Sequence, residues 1–183
     1  GSRHIFTNEG VVVLQKNEAG SIPAEIEHTL VDRESWEKEY KPRLKFFPER
    51  AEKMMVLTGR GYLPLAEGGA DYLRRDERTH HYGLNCGSMI GHLRNFTGVV
   101  GLAYIGADDE ELLDEMIDTM CGLAYQVVER VFASGAKFDF IHFWEDICFK
   151  NGPLVTPSMF REKIVPHYKR ITALAREHGV DIA

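Results

Sequence analysis

Apolar positions fall into two regimes along this chain. Before residue 80 they come in short β-branched runs broken by polar and glycine-rich stretches; after it they settle into long helical stripes separated by compact apolar strands. Val11, Val12, Val13 and Leu14 lead a set of short strands expected over residues 5–30, with a turn at Gly20, Ser21, Ile22 and Pro23. Residues 32–40 are polar around Trp36 and predict a short helix capped by Asp32. Residues 48–57 predict a second helix, with Pro48 tolerated in its first turn. Residues 58–70 are rich in glycine and predict a loop.

The second regime is more regular. Residues 81–86 predict a strand, Gly87 breaks it, and Ser88 is placed to cap a helix over 89–96 that Gly98 would end. Asp108 and Glu111 have capping-box spacing. Leu112, Met116, Met120, Leu123, Val127 and Val131 then mark one face of a helix reaching Ser134, with Gly135 at its left-handed stop. Such a stripe is core packing. The nearly continuous apolar run 138–144 predicts a strand buried on both faces, as in a parallel sheet. Thr156 and Pro157 open a last helix whose inner face carries Phe160, Ile164, Tyr168, Ile171 and Leu174. Pro166 should bend or split it near Val165, Gly179 should end it, and residues 180–183 read as the start of another strand. Strands alternating with helices over short links predict an α/β fold of parallel strands, with ligands taken at the strands' carboxyl ends. Cys86, Gly87 and Ser88 follow one such end; Glu145 and Asp146 follow the next.

Composition narrows the field. The chain has 183 residues, 44% hydrophobic and 27% charged, which suits one globular domain: an amino-terminal hairpin-like and helical region (1–79) joined to a βαβα core (80–183). A net charge of −6 argues against a nucleic-acid partner. No apolar run approaches the ~20 residues that span a bilayer, so no membrane partner is expected. Three widely spaced cysteines without a Cys-x-x-Cys pair suit a reducing, cytoplasmic setting. Gly1 and Ser2 read as the remnant of a removed tag.

The stretch "HFWEDICFKNGPLVTPSMFREKIVPHYKRITALAREHGVD" resembles the uroporphyrinogen decarboxylase superfamily. The resemblance rests on Trp144, Glu145 and Asp146 at a strand end, on the run from Lys150 and Asn151 through Gly152, Pro153 and Leu154, and on Thr156, Pro157 and Phe160. Pro166, His167, Tyr168, His178 and Gly179 extend it, and "LNCGSMIGHLRNFTGVVGLAYIGADDEELLDEM" is similar to that family's strand-to-helix turn and the helix after it. The resemblance implies a parallel (β/α) barrel of TIM type. At ~250 residues for a full barrel, it implies a partial one here. It implies decarboxylation in tetrapyrrole metabolism with no cofactor, or cobalamin-dependent methyl transfer with zinc and a corrinoid. A further alternative is a non-catalytic tetrapyrrole- or corrinoid-binding module, or an inactive fragment. An opened barrel would expose strand edges, so a homo-oligomer is expected. The chain departs from the decarboxylases in carrying Ser88, Met89, Ile90 and Gly91 after the glycine turn, with Arg94 near the place of their tyrosine, and Asp146 where they have serine.

Among the candidate residues, Asp146 at the barrel mouth would act as acid or base, or hold a cationic group; the plain alternative is bonding to loop amides. Glu145 is the second catalytic candidate, or else turns away and anchors an arginine. Gly87 and Ser88 at a helix start would bind an anion through free amides or form a bare structural turn, Arg94 would hold substrate carboxylates or pair with a surface acid, and Trp144 would wall the pocket or fill the helix–sheet layer. His142 reads as a core histidine, Cys86 as a buried inert thiol and Lys150 as solvated. His80 and His81, at a strand's amino end, read as structural. No metal ligands are assigned, and no His-x-Cys motif occurs.

Overall fold

The computed structural model of the chain describes residues 1–16, 23–75, 78, 80–150 and 152–183. The expected turn at Gly20, Ser21 and Ile22, and the role given to Asn151, lie outside the described residues. The amino-terminal strands are β1 (Ser2–Phe6), β2 (Val11–Lys16) and β3 (Ala24–His28), an antiparallel sheet in that order with a register shift between Val12 and Val13. Helix α1 (Arg33–Ser35) is capped as expected: the Asp32 carboxylate accepts from the Ser35 amide at 2.8 Å, and Ser35 Oγ accepts from the Asp32 amide at 3.0 Å. The coil then widens over Trp36–Tyr40, where the Lys41 amide bonds back to the Trp36 carbonyl, and this turn buries Trp36 and Tyr40.

The helix expected over 48–57 is cut to α2 (Glu49–Glu52), and the expected loop over 58–70 is largely ordered. Strand β4 (Met55–Thr58) pairs antiparallel with β5 (Gly61–Pro64), and α3 (Gly69–Arg74) follows. Gly61, at φ 109°, supplies the backbone that closes this hairpin, while Thr58 Oγ1 donates to its carbonyl at 2.7 Å. The glycines that signalled a loop are turn residues between strands.

Strand β6 (Gly83–Asn85) leads into α4 (Gly91–Asp108) and α5 (Glu110–Ala133), and β7 (Phe140–His142) returns parallel to β6. A small antiparallel pair follows, β8 (Cys148–Phe149) with β9 (Gly152–Pro153). Helix α6 (Pro157–Met159) is capped by Thr156 Oγ1, which accepts from the Met159 amide at 3.2 Å. A wide turn at Phe160–Ile164 separates it from α7 (Val165–Glu177), so Pro166 sits in a first turn, where its missing amide costs nothing. Gly135 and Gly179, at φ 77° and 78°, follow the ends of α5 and α7.

Two expectations, the caps Ser88 and Asp108, are corrected at the first strand-to-helix turn and after it. Ser88 does not cap α4, which starts at Gly91 without a side-chain cap. Gly98, at φ 70° and ψ 166°, interrupts the helix where its stop was expected, and a second helical limb of α4 resumes directly after it. The cap of α5 is Asp109, one residue beyond the expected Asp108, accepting from the Leu112 amide at 2.9 Å.

The parallel barrel is overturned. Among the described residues only β6 and β7 form a parallel pair, with Gly83, Leu84 and Asn85 opposite Phe140, Ile141 and His142. Residues 180–183 run beside β7, where the Ile141 amide bonds to the Ile182 carbonyl at 3.0 Å, but form no strand. The other three sheets are antiparallel. Links such as the one from Thr58 to Gly61 are too short for a parallel crossover, which needs a dozen residues or more. One core joins these parts, with Trp36, Met89, Leu93, Met116 and Ile164 fully enclosed.

Candidate functional site

Strand β7 alternates where it was expected to be buried on both sides. Ile141, Phe143 and Glu145 turn toward the helices; His142, Trp144 and Asp146 are exposed on the opposite face. His142 is therefore not a core histidine, and Trp144 is 50% exposed. Parallel pairing continues past the strands: the Cys86 amide bonds to the His142 carbonyl at 2.8 Å and the Trp144 amide to the Gly87 carbonyl at 3.0 Å. Gly87, at φ 84°, makes the turn, and Asn85 Oδ1 accepts from its amide at 2.8 Å.

This pairing delivers Glu145 to the start of α4. Its carboxylate accepts from Ser88 Oγ at 2.8 Å, from the Gly91 amide at 3.0 Å and from the Met89 amide, with the Ile90 amide at 3.4 Å. Tyr168 on α7 donates its hydroxyl to the same carboxylate at 2.5 Å. Burial, with this hydrogen bond adding to it, pushes the Tyr168 phenol above its usual range. Amides at a helix start carry partial positive charge, so they stabilise a carboxylate without a cation. Gly91 is required for the approach: a Cβ there would run into Ser88 Oγ and stand 3.3 Å from Glu145 Oε2. Glu145 does not anchor an arginine, as one reading expected.

Asp146 takes that part. It accepts from Arg94 Nη2 at 2.9 Å, with the aspartate side chain 52% exposed and the arginine 18%. Arg94 Nε is buried and makes no hydrogen bond to the described residues.

All six sequence-derived candidates thus fall in one cluster: Gly87, Ser88, Arg94, Trp144, Glu145 and Asp146. Ser88 acts through its hydroxyl and not as a helix cap. The sequence reading missed Tyr168, counted there as an inner-face residue of α7, and Gly91, whose missing Cβ carried no pattern of its own. Lys150 and His81 are exposed, and His81 Nδ1 lies 3.8 Å from the Asp139 carboxylate.

Among the described residues no three His, Cys, Asp or Glu side chains gather to hold a metal. The Cys86 and Cys121 thiols are buried, and burial pushes each up to about 12, away from the thiolate that zinc takes. Among the described residues no helix is long and apolar enough to cross a membrane. Comparison with known protein families, with curated proteins and with solved structures finds no match for this chain.

Proposed function

We propose that the chain serves decarboxylation of the uroporphyrinogen type, with a carboxylate-bearing tetrapyrrole lying against the open face of the strand tip. The observation that carries this reading is the Arg94–Asp146 pair: a largely buried guanidinium held by a half-exposed carboxylate beside Trp144. A substrate carboxylate competes with Asp146 for Arg94 and can be held bidentately. Asp146, once released, faces the pyrrole nitrogens, and Trp144 offers a flat apolar wall.

The chemistry needs no cofactor. A proton adds to the ring carbon next to the one that bears the acetate arm, leaving a cation shared between the arm-bearing carbon and the ring nitrogen. The bond from the arm's methylene to its carboxyl breaks, carbon dioxide leaves, and the electron pair neutralises the ring cation. The methylene then takes a proton to become methyl, and the neighbouring ring carbon loses the proton it gained. Asp146 stabilises both cationic stages. Glu145 keeps its place in the amide cradle and shapes the tip. A cytoplasmic setting, with all three cysteines free, belongs to the same reading.

A second reading has its own support. With Glu145 fully engaged, Asp146 is, among the described residues, the carboxylate left at the tip for proton transfer, and that suits a tetrapyrrole- or corrinoid-binding module without turnover. Incubation with uroporphyrinogen separates the two. Carbon dioxide release that Asp146→Asn abolishes supports decarboxylation. Saturable spectral binding without release supports the module. Neither signal overturns both.

A further inference from the structure

We propose that the cavity between the β4–β5 hairpin and α3 binds a phosphate monoester with a small apolar body. The cavity measures about 510 Å³, the size of a small-molecule site. The hairpin supplies Gly59 and Arg60 from its turn and Leu63 from β5; α3 supplies Tyr72, and Arg75 stands at its carboxyl end.

Charge selects an anion. Arg60 and Arg75 are exposed, and among the described residues neither guanidinium makes an ion pair or a hydrogen bond. Arginines elsewhere are engaged: Arg33, Arg74, Arg78, Arg94 and Arg130 each pair with a carboxylate. The acid in this lining, Asp71, is the one that Arg74 neutralises. Two positive charges are left open to the cavity. The overall charge of −6 does not cancel them, because exposed charges beyond about 8 Å are largely screened at physiological salt.

Two guanidiniums on separate elements select phosphate over carboxylate. A planar carboxylate is satisfied by one bidentate arginine. A phosphate monoester offers three strong acceptor oxygens and a charge of about −1.5 to −2 at neutral pH, so it can accept from both. The remaining wall suits an apolar body. Leu63 is 39% exposed, and the Tyr72 ring meets Tyr82 edge-on with centroids 5.8 Å apart. The two hydroxyls lie 3.1 Å from each other, and that of Tyr82 donates to the Leu57 carbonyl at 2.9 Å. This wall is therefore fixed before a ligand arrives. Tyr82 directly precedes β6, so the cavity lies toward the amino end of that strand, whereas the Glu145 cradle follows its carboxyl end. The site does not depend on the strand-tip chemistry.

Calorimetric titration of the full chain with phenyl phosphate tests this. Saturable binding at one site is expected, with benzoate and inorganic phosphate each at least ~10-fold weaker. Arg60→Ala and Arg75→Ala should each weaken phenyl phosphate at least ~10-fold, the size of one lost charge-assisted hydrogen bond. Gly59→Asp should do the same. A Cβ there meets nothing within 4 Å, so the variant sets a carboxylate at the cavity without displacing a neighbour, and it decides the matter even if an arginine variant fails to fold. Arg161→Ala, at an exposed arginine on the wide turn before α7, should leave the affinity unchanged. Absence of saturable binding, full affinity in Gly59→Asp, or an equal loss in Arg161→Ala would overturn the proposal. So would benzoate binding as tightly as phenyl phosphate, or inorganic phosphate doing so, which would mark an adventitious ion only.

Discussion

Two carboxylates in this protein each draw together segments far apart in sequence, and they do so by different physics. At the strand tip, Glu145 is held by a serine hydroxyl, backbone amides and a tyrosine hydroxyl, none of them formally charged. On the flank, Glu115 of α5 accepts from Trp36 Nε1 at 3.0 Å and pairs with Lys41 at 2.6 Å and Arg33 at 3.4 Å; Arg33 also meets Asp109 at 2.8 Å. Fixed dipoles are set by the fold and are barely screened by salt. Long cationic side chains must be ordered, and their attraction fades as salt rises. The tip is therefore a rigid mount for the exposed face of β7, while the flank is a strap whose strength follows the solvent.

The contrast can be broken or sharpened by experiment. Glu145→Ala should cost about 3 kcal/mol in urea unfolding, because the amides of Met89, Ile90 and Gly91 lose their shared acceptor. The loss should persist in high salt, and a large recovery there would erase the distinction. Tyr168→Phe removes one donor from the same carboxylate and should cost about 1 kcal/mol, again independent of salt.

Glu115→Gln should cost less, under about 1 kcal/mol, and the difference should shrink near ~1 M salt, where the screening length is about 3 Å. It should also vanish in acid. Hydrogen bonds from Lys41 and then Trp36 hold the Glu115 carboxyl below its ordinary 4.5. A group depressed in the folded state stabilises above its unfolded value and loses that contribution as pH falls through the folded one. The unaltered chain and the Glu115→Gln chain should therefore converge in stability below that ordinary value.

The smallest effect concerns reactivity. Alkylation at mildly alkaline pH should modify Cys148 quickly and leave Cys86 and Cys121 protected. Glu145→Ala should speed labelling of the two buried thiols, which lie beside the tip, whereas Glu115→Gln should not.

Local chemistry was legible in the sequence wherever one residue type forces one outcome. Asp32 with Ser35, Thr156 with Pro157, and Gly135 after α5 set helix ends through short-range bonds or a left-handed backbone. The meeting of the two strand ends was legible too, because residues after two consecutive strands come together once those strands pair in parallel. The barrel was not. Strand count and direction depend on partners far along the chain, and the run 138–144 looks the same whether one face is covered or two. The division of labour between Glu145 and Asp146 was hidden for a related reason: it depends on a cradle of backbone amides, which no side-chain pattern announces. The β4–β5 hairpin was missed because its glycines serve a turn as readily as a loop.

The alternation of β7 also has a consequence for how this tip tolerates change. Because neighbouring side chains point opposite ways, removing Phe143 alone would advance the reading frame of the strand by one step. Trp144 would swing toward the helices, Asp146 would inherit the amides now bound to Glu145, and Glu145 would emerge into solvent. Substitutions here leave that assignment of neighbours intact, whereas a one-residue deletion exchanges it, so this segment should accept altered letters far more readily than altered length.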